Sequence, residues 1–133
     1  MLIEKHISDL LYRYQCVTVP GFGAFLTETV SAHVTGSASS FFPPKQVVSF
    51  NANVKNNDGL LANHVALQEK MSYELAVIKI GDVVNEWTYL LQNRNRVVLK
   101  NIGEISVNNE MNWVFEPANT VNYLTDSFGL TPF

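Results

Sequence analysis

Residues 10–25 read LLYRYQCVTVPGFGAF, and the fold turns on how this stretch is read. Leu10, Leu11 and Tyr14 continue an apolar spacing begun at Ile3 and Ile7, with Glu4, Lys5 and Asp9 between them. Apolar residues three and four apart share one face of a helix, so residues 2–14 are predicted to form an amphipathic helix with that face buried. Residues 16–19 then alternate, as a half-buried strand does. Pro20 and Gly21 follow: proline pre-sets φ at the first central position of a tight turn, and glycine accepts positive φ at the second. A hairpin returning along residues 22–27 is the expectation.

The same succession recurs 80 positions later, where residues 90–105 read LLQNRNRVVLKNIGEI. At that offset Leu10, Leu11, Val17 and Gly23 fall on Leu90, Leu91, Val97 and Gly103, while Val19, Phe22 and Phe25 fall on Leu99, Ile102 and Ile105. Lys100 and Asn101 take the place of Pro20 and Gly21, with asparagine suited to the left-handed conformation. A third strand closes each copy, residues 47–50 in the first and 113–115 in the second. It realigns at an offset of 65, Phe50 on Phe115, so the second copy lacks 15 residues between its strands. The missing piece falls within residues 28–47 of the first copy, a stretch rich in Thr, Ser, Ala and Gly and containing Phe41-Phe42-Pro43-Pro44. This reads as an extended arm or a long loop, of the length that usually carries function. The Phe-Phe pair could dock on a partner or pack the arm onto the body.

Between the copies, Asp58 can cap a helix bearing Leu60, Leu61, His64, Val65 and Leu67 that ends near Lys70. Ser72 is the expected N-cap of a longer helix whose Ala76, Val77, Ile80, Val83, Val84, Trp87, Leu90 and Leu91 keep the 3.6-residue period. Residues 108–112 form a turn, and Pro117 is expected to begin a last helical stretch through Val121 and Leu124.

A helix leading into V-x-V-x-G-F-G-x-F, a long β arm and an apolar strand closing on Phe resembles the HU and IHF nucleoid proteins. Residues 10–27 and 47–61, LLYRYQCVTVPGFGAFLT and VVSFNANVKNNDGLL, more closely resemble the bacterial tandem HU-like domains found at the N-terminus of SPOR-domain envelope proteins. The resemblance implies an α+β fold of two fused HU/IHF-like units, each with helices and a three-stranded sheet. Residues 1–57 form the first unit, with its arm at 28–47, and residues 58–133 the second, with helix 58–70 shared between them. HU works as an intertwined dimer, so the units are expected to pack as an internal pseudo-dimer, the chain being a monomer or a homodimer. It also implies that the segment is the cytoplasmic head of a membrane-anchored protein, with DNA or a factor of the envelope or division machinery as partner.

HU grips the minor groove with cations along its arm and wedges a proline between base steps. Here Lys45 is the one Lys or Arg between residues 28 and 47, with His33 beside it as a second candidate, and Pro43 falls near the arm's base rather than its tip. Where HU's closing helix brings cations to phosphate, this chain has Asn51, Asn53 and Lys55. His33, Lys45, Asn51, Asn53 and Lys55 are therefore the candidate nucleic-acid contacts. Arg94, Arg96 and Lys100 gather at the second hairpin, as a solvated structural cluster or as a further contact.

Composition limits these readings. The chain has 133 residues, 47% hydrophobic and 16% charged, a balance that buries a core and disfavours disorder over most of its length. Its net charge of −3, nine Lys and Arg against twelve Asp and Glu, argues against strong, indiscriminate DNA binding. Two functions stay open: weak or structure-specific DNA binding, and a protein-interaction scaffold that kept the HU fold and lost its charge. No cofactor, metal or enzymatic activity is expected, because His6, His33 and His64 lack metal-site spacing and no serine has a nucleophile-elbow context. His64 reads as a satisfied helix residue. Cys16, the lone cysteine, excludes an intrachain disulfide and is expected to be buried. No apolar run approaches the roughly 18 residues a membrane span needs, and Glu4 and Asp9 interrupt any signal-peptide core.

Overall fold

The computed structural model describes residues 2–30 and 45–118. Helix α1 (Ile3–Leu11) buries Ile3, Ile7, Leu10 and Leu11, the face its spacing predicts. It is shorter than the expected 2–14. The amides of Arg13 and Tyr14 both donate to the Leu10 carbonyl, closing the last turn, and Tyr14 lies outside the helix and exposed. Strands β1 (Cys16–Val19) and β2 (Gly23–Val30) follow, joined by a turn in which the Phe22 amide donates to the Val19 carbonyl and Gly21 has φ +80. Cys16 is exposed, against expectation, because it is the outward-facing first residue of a strand whose next three are buried.

Strand β3 (Lys45–Asn51) pairs antiparallel with β2 from Ala24 opposite Asn51 to Val30 opposite Lys45. The root of the arm is thus a two-stranded ladder; residues 31–44 lie outside the described residues.

Helix α2 (Leu60–Glu69) starts two residues after Asp58, whose carboxylate accepts the Leu60 amide, and ends on Lys70 in the left-handed conformation. Helix α3 (Tyr73–Gln92) is capped by Ser72, whose hydroxyl accepts the Leu75 amide at 3.1 Å. Ala76, Ile80, Val84, Trp87 and Leu91 are its buried stripe. Strands β4 (Val97–Leu99), β5 (Gly103–Val107) and β6 (Trp113–Pro117) form a second antiparallel sheet. Asn101 takes the left-handed position of its turn at φ 68, as expected. Asn108 accepts the Glu110 and Asn112 amides in the β5–β6 turn. Pro117 closes β6 instead of opening a helix, its Cα paired with Gly103; the helical stretch expected beyond it lies outside the described residues.

The repeat is exact in register. Val17, Phe25 and Phe50 stand abreast in one sheet, and Val97, Ile105 and Phe115 stand abreast in the other. In each, the ring from the third strand lies over the hairpin glycine: a Cβ on Gly23 would run into the Phe50 ring, and one on Gly103 into the Phe115 ring. Only glycine permits that approach.

The two sheets and three helices enclose one hydrophobic core. Phe22 lies 5.1 Å from Trp87 and 5.0 Å from Trp113, and Phe25 lies 5.9 Å from Phe115, ring centre to ring centre. Phe50 stacks on Trp113 at 26° between ring planes. Such tilted and offset contacts are the favourable geometries for aromatic rings, and here they join side chains of the first copy to those of the second. The fold is α+β, two HU-type units whose rings meet in a single interior.

Candidate nucleic-acid interface

The strap after β3 is laid against the first hairpin by one hydrogen bond, from the Gly21 amide to the Lys55 carbonyl at 2.9 Å. Asn51, Asn53 and Lys55 are exposed along it, while Ala52 and Val54 between them are half-buried. That alternation turns all three candidates outward beside the hairpin. Their freedom differs. The side-chain oxygen of Asn51 accepts the Asn53 amide at 2.9 Å, so Asn51 shapes the turn that ends β3. Asn57 is used in the same way: its side-chain oxygen accepts the Gly59 amide and its side-chain nitrogen donates to the Tyr73 hydroxyl at 3.0 Å. The amides and short polar side chains of this region mainly satisfy one another, as such residues do in turns.

Lys45 begins β3 opposite Val30. Six residues along the strand separate it from Asn51, about 20 Å at the rise of an extended chain. It belongs to the arm's root and not to the strap. His33 lies outside the described residues, as does Pro43.

The second unit offers phosphate less. Glu104 and Glu116 are directly opposite each other on β5 and β6, and both line an open cavity of about 580 Å³ beside the hairpin, together with Lys100. Arg96 reaches Glu104 at 3.2 Å. Arg94 takes a left-handed conformation after α3. Of the basic residues gathered there, Arg96 is paired with a carboxylate of the same sheet.

A different group of polar residues joins α1 to α2, and sequence spacing did not reveal it. His6 is buried, its Nε2 2.8 Å from the Glu69 carboxylate. The rings of His6 and His64 meet edge to face, 5.2 Å between centres. Nδ1 of His6 and Nε2 of His64 are buried without a hydrogen-bond partner, so His64 is not the satisfied residue the sequence suggested. Burial and the neighbouring His6 hold the His64 ring below its ordinary pKa of 6.5, with Asp9 acting in the opposite sense. The hydrogen bond from His6 lowers the Glu69 carboxyl from 4.5. The one hint in the sequence is that both histidines adjoin the apolar stripes of their helices.

A helix feeding a glycine-centred hairpin, closed by a third strand and repeated over a shared interior, defines an HU-type protein of two units in one chain. The chain belongs to the CCDC81-like prokaryotic HU family: the description of its domain 1 matches residues 1–58 and that of its domain 2 matches residues 59–128. Among curated proteins none matches the chain. Within the described residues no helix is long and apolar enough to cross a membrane.

Proposed function

We propose that this chain is an HU-fold module that makes weak, structure-selective contacts with DNA through its first unit. The observation that carries this reading is the asymmetry of the arms. Strands β2 and β3 remain paired out to Val30 and Lys45, whereas the second unit turns back at once through residues 108–112. In the HU fold the arm is the part that engages a duplex, and only the first copy extends one. His33 and Lys45 on the arm, with Asn51, Asn53 and Lys55 on the strap, are the contacts assigned to this role. With so few cations, binding should favour DNA that is already bent or nicked, where the protein need not supply the deformation energy.

The unit boundary is placed after residue 57, with the helix at 58–70 serving both units. Its packing against α1 and β1 on one side and α3 on the other supports this division. The module is assigned to the cytoplasm.

The net charge of −3 and the facing Glu104 and Glu116 favour a second reading, a scaffold that binds protein. Leu67, Ile78 and Tyr89 on the outer helices are exposed in keeping with it. Fluorescence polarisation with intact, nicked and pre-bent duplexes at low salt separates the two. The DNA reading expects the nicked and bent duplexes to bind more tightly, a steep loss with salt, and a salt slope reduced by about one in Lys55→Ala. Absence of binding to any of them at tens of micromolar protein would leave the scaffold.

A further inference from the structure

Helices α1 and α2 cross where His6 and Asp9, three apart on one helix, face His64 on the other. One potential ligand atom from each of these three residues lies within 4.8 Å of the other two. His6 is 5% exposed, and its Nδ1 has no hydrogen-bond partner; the Nε2 of His64 is in the same condition. A buried polar atom left unpaired is destabilising, so two in one helix crossing call for a shared partner.

Glu69 decides which nitrogen is available. Its carboxylate is paired with Nε2 of His6 at 2.8 Å, so Nδ1 is the nitrogen of that ring left to face the cluster. A carboxylate behind a histidine whose other nitrogen faces a cluster of donors is the arrangement that orients imidazole ligands on metals. We propose that His6, Asp9 and His64 bind a divalent transition-metal ion of the zinc class, with Glu69 as the positioning residue for the His6 ring.

Two nitrogens and one carboxylate oxygen suit such an ion and leave a fourth position for water. Tetrahedral bonds of about 2.0–2.1 Å place ligand atoms roughly 3.3 Å apart, so a spread of up to 4.8 Å must contract. Asp9, exposed, and His64, half-buried, have room to turn inward. The carboxylates of Asp9 and Glu69 offset the double positive charge. The ion would pin the opening helix of the first unit to the helix at the unit boundary.

The test uses a tag-free chain of residues 1–133, stripped with chelator, titrated with Zn²⁺ by calorimetry and with Co²⁺ by visible absorption, without DNA. One ion per chain is expected, with intense bands of four-coordinate Co²⁺ and a melting temperature that rises with Zn²⁺ concentration. Glu69→Gln should weaken binding about 10–100-fold, and Asp9→Asn and His64→Gln should weaken it at least about tenfold. Asp9 is exposed, so its variant decides the matter if His64→Gln does not fold. Absence of stoichiometric binding by the unaltered chain, or wild-type affinity in Asp9→Asn, overturns the proposal.

Discussion

The first unit and the second share four buried apolar positions of their hairpins and differ around them, where buried Thr18 answers to exposed Val98. Val17 and Val97, Val19 and Leu99, Phe22 and Ile102, Phe25 and Ile105 are buried pair by pair. Yet in the last two pairs the first unit sets a ring where the second sets a branched aliphatic. The first carries a β arm; the second has a short turn and the Arg96–Glu104 pair, whose counterparts at the 80-residue offset are Cys16 and Ala24. What a duplicated fold must keep is its interior register and the glycine under the third strand. Charge and strand length at the edge are free to diverge.

The comparison can be broken most sharply at Phe22. Truncation to Ala should cost about 3–5 kcal/mol, since the ring touches Phe50, Trp87 and Trp113, against about 2–5 for Ile102→Ala. Because the core is shared, both variants should unfold in one urea transition by far-ultraviolet dichroism. A two-step transition confined to one unit would mean that the copies are separate bodies.

Next come the two glycines. Gly103→Ala meets a backbone carbonyl, that of Glu116, and forces alanine to φ +153, whereas Gly23→Ala meets chiefly the rim of the Phe50 ring. A ring can shift more easily than a strand. Gly103→Ala is expected to cost about 2–4 kcal/mol and Gly23→Ala about half that, read from denaturation midpoints. Equal costs would show that the two ring-over-glycine contacts are equivalent.

The histidine crossing gives a pH dependence centred on the joint between α1 of the first unit and the boundary helix α2. His64 and Glu69 both have folded-state pKa values depressed below their ordinary 6.5 and 4.5. The unfolded chain then binds more protons in these ranges, so stability is full above them and falls with acid. In chelator-containing buffer the melting temperature should decline as pH drops below about 6.5 and again below about 4.5. His64→Gln should flatten the upper decline; a profile unchanged by that substitution would remove His64 as its source.

The smallest effect belongs to Arg96. Its pair with Glu104 is largely exposed, and Arg96→Ala should change stability by less than about 1 kcal/mol by chemical denaturation.

Period and glycine placement made most of the fold legible. Residues 10–25 and 90–105 hold the hairpins they were expected to hold, and Ser72 caps α3, because these signals are local. Misjudgements arose where a residue's role depends on what lies across from it. Tyr14 has helical spacing but follows a helix already closed on Leu10. Pro117 looks like a helix opener but is held in the ladder opposite Gly103. Cys16 is apolar by type but sits on the outward face of β1. The strap was legible as a polar run, though not the hydrogen bonds that commit Asn51 and Asn57 to its turns. The His6–His64 contact spans two helices far apart in sequence, and no spacing rule reaches that distance.

The aromatic seam running from Phe22 and Phe25 to Trp87, Trp113 and Phe115 also bears on inheritance. Recombination that carried off one unit without the other would leave half a set of rings facing water, with nothing to replace the lost half. Neither unit, cut from its sibling, would keep a closed interior.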